Sequence, residues 1–272
     1  MQDTNKKNKI VICGGSVRGF GLLGYLQKLQ DNQMLDNLIY YCGTSIGSII
    51  CLLLLIGYSP SDIFYVLMEI DFNTLFNENF DDLFETPHFG LYSTKSIIFI
   101  VGKLMKDKKI SFKITFNELF KKFNKSLIVT GVCLNSNTLE YFNKEKYPDL
   151  EILTAIQISI SIPLLFKPVL FNDKLWIDGG CLNNYPIEYF DDDLENVIGI
   201  NIITNENNIE KFNSYDEYLK QILNCLFKSI LTKNNEKYDK YTKKLYLDNM
   251  INLKINNEEK LKLYNQGFNN EI

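Results

Sequence analysis

Histidine is the scarcest reactive side chain in this sequence: 272 residues contain one, His88. A hydrolase triad in the order Ser, Asp, His needs a histidine downstream of its acid. A surplus of positive charge is missing too. Lys and Arg number 29 against 33 Asp and Glu, a net charge of −4. That argues against nucleic acid as the main partner, because phosphate binding needs a cationic field. Long hydrophobic runs are absent. The longest, "IICLLLLI" from Ile49 to Ile56, falls far short of the roughly 20 residues that span a bilayer. The six cysteines, at 13, 42, 51, 133, 181 and 225, share no metal-ligand spacing, and several sit in apolar runs. They read as buried thiols of a reducing compartment and not as metal ligands. The opening "MQDTNKKNK" is polar and is not a signal peptide, so the cytoplasm is the expected location.

What is present is the composition of a globular protein, 46% hydrophobic and 23% charged, on a chain long enough to bury a sizeable core. "KIVIC" (Lys9 to Cys13) is a short apolar run before a glycine pair, the pattern of a buried parallel strand. "GFGLLGYLQKLQD" follows with a helical period. "NLIYYCG" is a second strand, and the apolar block after Ser45 is a helix ended by Gly57 and Pro60. Strand, helix, strand, helix implies an α/β sheet with helices on its faces. Helices are then expected over "PSDIFYVLMEID" and "STKSIIFIVGKLMKDKK" with serine caps, and over "TFNELFKKF" with a Thr115–Glu118 capping box. "SLIVTGVCLNS" and "NTLEYFN" read as strands, "PDLEILTAIQISIS" as a helix, "PVLFNDKLWIDGG" as a hairpin turning at Asn172-Asp173, and "NVIGINII" as a buried strand. After Thr204 the chain turns rich in Lys, Asn and Tyr, with an amphipathic helix over Tyr215 to Lys233.

Three glycine-bearing turns follow apolar strands, where α/β folds place their sites. The first is "CGGSVRGFG", residues 13 to 21. Its amides can cradle a phosphate, form an oxyanion hole, or simply turn the chain. No Gly-Lys-Ser/Thr follows, and Ser16 breaks the dinucleotide spacing counted from Gly14. The second is Gly43-Thr44-Ser45-Ile46-Gly47, a Gly-x-Ser-x-Gly elbow that can expose a nucleophilic serine at a helix N-terminus. Its plainer reading is an N-cap serine before a buried helix. The third is "WIDGGCLNNYP", residues 176 to 186, where Asp178 either enters a site or closes a hairpin as an Asx-turn.

No histidine follows Asp178, and His88 sits in the loop-like "ETPHFGLY", where packing or exposure is its commoner fate. Elimination leaves Asp178 as the candidate base for Ser45. A free aspartate, with a pKa of about 3.9, is weak for this work. Partial burial raises its basicity, and a hydrogen bond to the serine positions it for proton transfer.

"GGSVRG", "GTSIGS" and "DGG", in that order, together with "SISIPLLFKPV" (159 to 169), resemble the patatin-like phospholipase family over residues 9 to 205. The resemblance implies a mostly parallel central sheet flanked by helices in three layers. It implies an acyl hydrolase domain over 9–205; the composition shift after Thr204 marks 206–272 as a helical C-terminal extension expected to pack on it. It implies hydrolysis of lipid acyl esters by a Ser–Asp dyad through an acyl-enzyme, without a cofactor. Ser45 would be the nucleophile and Asp178 the base. Gly14, Gly15 and Ser16 would form the oxyanion hole, with Arg18, Gly19, Gly43, Gly47, Gly179 and Gly180 as supporting motif residues. Ser16 stands where the family usually has a third glycine. The substrate would be a phospholipid or other acyl lipid. Two other readings compete: a catalytically silent module of the same fold that binds lipid or protein, and a nucleotide-binding α/β protein. The intact Ser45 and Asp178 turns weigh against the first, the missing phosphate-binding lysine against the second.

Peripheral contact with a membrane surface is expected of such an enzyme. Two stretches offer themselves: the aromatic-rich, acidic 70–92, as a rim or lid, and the Tyr215–Lys233 helix. Plain packing is the commoner use of both.

Overall fold

The computed structural model describes residues 7–72, 89–204, 236–248 and 255–272, with Tyr218, Gln221, Ile222 and Cys225 as isolated helical positions. His88, most of the expected rim over 70–92 and most of the Tyr215–Lys233 helix lie outside the described residues.

The first sixty residues form the expected alternation. β1 (Lys9–Ile12) passes through a 3-10 turn into α1 (Gly19–Asp31), and β2 (Tyr40–Gly43) turns at Ser45 into α2 (Ile46–Leu55). α3 (Pro60–Met68) starts with a Ser59–Asp62 capping box and Pro60 at its first position. β3 (Gly90–Tyr92) precedes α4 (Lys95–Asp107), whose cap position is Thr94, and α5 (Phe116–Phe123) opens on the Thr115–Glu118 box. β4 (Ser126–Cys133), β5 (Thr138–Phe142), α6 (Ile152–Ser159), β6 (Leu164–Phe166), β7 (Val169–Phe171), β8 (Lys174–Asp178) and β9 (Val197–Thr204) follow. β10 (Thr242–Leu247) and α7 (Asn257–Asn269) close the chain.

Five strands run parallel in the order β10, β9, β1, β2, β4, with fully buried Ile10, Val11 and Ile12 at the centre. Helices cover one face. On the other, Val11, Cys42, Ile128 and Val197 pack under Ile187, Phe190 and Leu194, which come from short 3-10 turns.

β4 is the strand that makes the site. One edge carries antiparallel β5, paired over Val129–Cys133. The other edge is shared: β2 takes Ser126–Val129 in parallel, and β8 takes Gly131–Cys133 antiparallel. β2 and β8 therefore meet end to end. Gly43 pairs with Val129 and Asp178 with Gly131, two positions apart, or about 7 Å along the strand. The hairpin that delivers Asp178 turns at Asn172 and Asp173, both at positive φ (50° and 57°), as a two-residue primed turn requires.

The C-terminal stretch, expected to be helical, contributes a strand as well. "TKKLYL" alternates, with Leu245 and Leu247 buried and Tyr246 exposed, because β10 pairs with β9 at the end of the parallel series. α7 lies backbone to backbone on α1. A Cβ on Gly24 would fall 2.0 Å from the Tyr264 carbonyl oxygen, and one on Gly267 would fall 1.8 Å from that of Gly21.

Candidate active site

Ser45 stands where β2 becomes α2. Its backbone adopts φ 53° and ψ −128°, a conformation that costs an ordinary residue about 1–3 kcal/mol. The surroundings hold it there. Thr44 N–H donates to the Ile12 carbonyl at 3.2 Å, and Gly47 N–H to the Thr44 carbonyl at 2.9 Å. Ser48 Oγ donates to the Ser45 carbonyl at 2.6 Å. Ser45 N–H donates to Ser159 Oγ, at the end of α6, at 2.9 Å. Gly47 is required by close approach: a Cβ there would lie 2.5 Å from the carbonyl oxygens of both Ile12 and Cys13. Gly43 is equally confined, with the Gly47 backbone 2.5 Å from where its Cβ would be. The side chain of Ser45 sits at the positive end of α2, a favourable place for negative charge.

Asp178 ends β8 and is buried. Its N–H donates to the Ser161 carbonyl at 2.9 Å, and its Oδ1 accepts the Gly180 N–H at 2.7 Å. Gly179 has no room for a side chain, since a Cβ would meet Thr130 Oγ1 at 2.1 Å. Thr130 Oγ1 in turn shares a 2.7 Å hydrogen bond with Thr44 Oγ1, tying the aspartate turn to the serine elbow. Burial pushes the Asp178 carboxyl up to about 7; the Ser45 hydroxyl and the Gly180 amide draw it part of the way back. Oδ2 is buried with no hydrogen-bond partner among the described residues. The Ser45 hydroxyl thus acts on the carboxyl without completing a hydrogen bond of good geometry to Oδ2. A carboxyl of this kind can take up a proton near neutral pH, and one of its lone-pair sides is open.

The glycine loop lies beside both. Gly14 N–H donates to the Asn184 carbonyl at 3.0 Å, and Asn184 Nδ2 donates back to the Gly14 carbonyl at 3.1 Å. Among the described residues, the N–H groups of Gly15 and Ser16 donate to nothing. Ser16 takes φ 51° despite its side chain. Arg18 braces the loop from its own side, with N–H and Nε both on the Gly15 carbonyl, at 3.0 and 3.1 Å. Gly19 faces α2: a Cβ on it would be 2.6 Å from Ile46 Cγ1.

Ser45 and Ser16 open onto an otherwise apolar cavity of about 120 Å³. Its lining climbs α2 from Ser45 to Leu53, about 12 Å at 1.5 Å per residue. Among the described residues, no three His, Cys, Asp or Glu side chains converge into a metal-holding group. No helix among them is long and apolar enough to cross a membrane. Ser45 and Ser16 line this cavity, Asp178 acts on the Ser45 hydroxyl from outside the lining, and Gly14, its N–H already engaged, stands against Ser45, with Gly15 next to it in the loop. Sequence reasoning did not single out Ser159, Thr130 or Asn184. Ser159 and Asn184 stood inside quoted motifs, but a side chain that holds a backbone group carries no spacing signature of its own.

The family model for Patatin-like phospholipase matches residues 10–191. The chain is 31% identical over 258 residues to an uncharacterized protein, R571, of Acanthamoeba polyphaga mimivirus, covering 92% of this chain and 83% of that one. It is 38% identical over 163 residues to a probable lipid hydrolase, 463L, of Invertebrate iridescent virus 6, covering 59% of this chain and 55% of that one. Among solved structures it resembles VipD from Legionella pneumophila, with a TM-score of 0.63 at 16% identity, over 97% of this chain and 66% of that chain. It also resembles the type III effector protein ExoU, with a TM-score of 0.53 at 14% identity, over 97% of this chain and 52% of that chain. Both structural likenesses concern the fold. The chain spans about half the length of ExoU and of the iridescent-virus protein.

Proposed function

This chain belongs to the patatin-like phospholipase family, and we propose that it is a lipid acyl hydrolase of the phospholipase A type, working through a Ser45–Asp178 dyad. The observation that carries the reading is the meeting of a strained, helix-capping serine with a buried carboxyl raised to about 7, at the mouth of an apolar cavity. The family relationship and the name of the iridescent-virus relative support lipid hydrolysis in general.

The ester carbonyl lies over Ser45 with its acyl chain in the cavity. Asp178 takes the hydroxyl proton as Ser45 Oγ attacks the carbonyl carbon. The oxyanion forms next to the free N–H groups of Gly15 and Ser16, and the α2 dipole favours it. The C–O bond to the alcohol breaks, and the alcohol leaves with the proton from Asp178. Water then attacks the acyl-serine, again giving its proton to Asp178, and the fatty acid departs as Ser45 regains its hydrogen. Engagement of Gly14 with Asn184 narrows the oxyanion donors to Gly15 and Ser16. The substrate is a phospholipid or related acyl lipid, met at a membrane surface from the cytoplasmic side.

Release of fatty acid from phospholipid vesicles tests the reading. Ser45→Ala and Asp178→Asn each abolish release while the fold persists, and His88→Ala keeps most of it. A wild-type protein that is folded and releases nothing overturns the hydrolase in favour of a silent lipid-binding module.

A further inference from the structure

Lysine is almost never fully buried unless its charge is met. Lys260, on α7, is 1% exposed. Its ammonium has three protons to give. It donates to the backbone carbonyls of Ile70 at 2.7 Å and Leu67 at 3.1 Å and to Asn257 Oδ1 at 3.0 Å, with the Met68 carbonyl sharing a proton at 3.4 Å. Leu67 and Met68 end α3 and Ile70 follows it. These acceptors lie at the negative end of α3, where a cation is favoured, and the Leu67 carbonyl also takes the Ile70 N–H at 3.4 Å. The rings of Phe72 and Phe20 also face the ammonium, at 4.9 and 5.9 Å.

The same stretch has a second side. Leu67, Ile70 and Phe72, with Phe20 from α1, line the apolar cavity that opens at Ser45. Lys260 does not line it and stands behind that wall. One charged group, from a helix beyond the residues that the family model matches, gathers the loose end of α3 and holds its apolar side chains toward the cavity. An apolar residue in its place would fill the volume and take the ammonium from the Met68 and Ile70 carbonyls, and the backbone would move to find water.

We propose that Lys260 is a specificity-determining residue that sets the length of acyl chain the cavity accepts, by fastening the Leu67–Phe72 wall from behind. The inference rests on the hydrolase reading above. Long straight chains need the whole wall in place; short ones need only the region near Ser45.

The test is steady-state hydrolysis of p-nitrophenyl esters from butyrate to palmitate by the full chain, wild type beside Lys260→Met and Lys260→Gln. In Lys260→Met, kcat/KM for palmitate relative to butyrate falls by about tenfold or more, the scale on which apolar pockets discriminate chain length. The loss resides in KM. Lys260→Gln keeps two donors for the carbonyls and gives a smaller shift in the same direction; it decides the matter if Lys260→Met does not fold. An unchanged palmitate-to-butyrate ratio in a folded variant overturns the role of Lys260. A folded wild type that hydrolyses no ester of any length overturns the hydrolase reading and this inference with it.

Discussion

The Ser159 hydroxyl accepts the backbone N–H of Ser45 at 2.9 Å. Both residues are buried, and the bond crosses from the end of α6 to the strained turn before α2. Ser159→Ala leaves that N–H buried and unpaired, at about 1–3 kcal/mol. The elbow relaxes, and a nucleophile displaced by a fraction of an ångström loses up to about 10²-fold in rate. Melting temperature and kcat/KM measured on the variant should both fall. Full activity would mean that the turn holds Ser45 without help.

Asp178 sets the pH dependence expected of hydrolysis and of stability. With its carboxyl raised to about 7, hydrolysis should climb as pH rises through that value and level off above it. The stability effect has the opposite sign. Between the unfolded pKa near 3.8 and the folded value, the native state keeps a proton that the unfolded chain has lost, so stability declines as pH rises through that window. Asp178→Asn removes this decline. It should be inactive and yet, at pH 8, more stable than wild type by up to about 4 kcal/mol, with little difference at pH 4. Thermal denaturation at the two pH values checks it; a variant less stable than wild type at pH 8 would contradict the burial argument.

Gly47 is fixed by packing. Its added Cβ would press on the Ile12 and Cys13 carbonyl oxygens at 2.5 Å, both part of backbone that cannot yield cheaply. Gly47→Ala should lift the start of α2 from β1, lower stability by about 1–3 kcal/mol and remove activity by displacing Ser45. Denaturant titration and ester hydrolysis of the variant measure both, and retention of either would show that the elbow has slack.

Much of this architecture is legible in the sequence because local chemistry decides it. "KIVIC" and "YYCG" are apolar runs stopped by glycine and form β1 and β2. Thr115 and Glu118 cap each other, and Asn172-Asp173 turns the hairpin. The turns that bring Ser45 and Asp178 into the site follow the same logic. Other features depend on partners remote in sequence. β10 hides behind its lysines as an alternating strand. β3 and β6 are three residues each and, among the described residues, pair with one another alone. Asn184 reaches Gly14 across 170 positions, and Lys260 reaches α3 across 190 and more. Lys260 stands among charged neighbours in "NNEEKLK", and what buries it is α3, far away in sequence.

The most direct measurement is covalent labelling by a fluorophosphonate probe, wild type beside Ser45→Ala, with fatty acid release from phospholipid vesicles followed on the same samples. A Ser45–Asp178 hydrolase takes the label and releases fatty acid as wild type, and folded Ser45→Ala does neither. Labelling that survives Ser45→Ala, or a folded wild type that neither labels nor releases fatty acid, would contradict this.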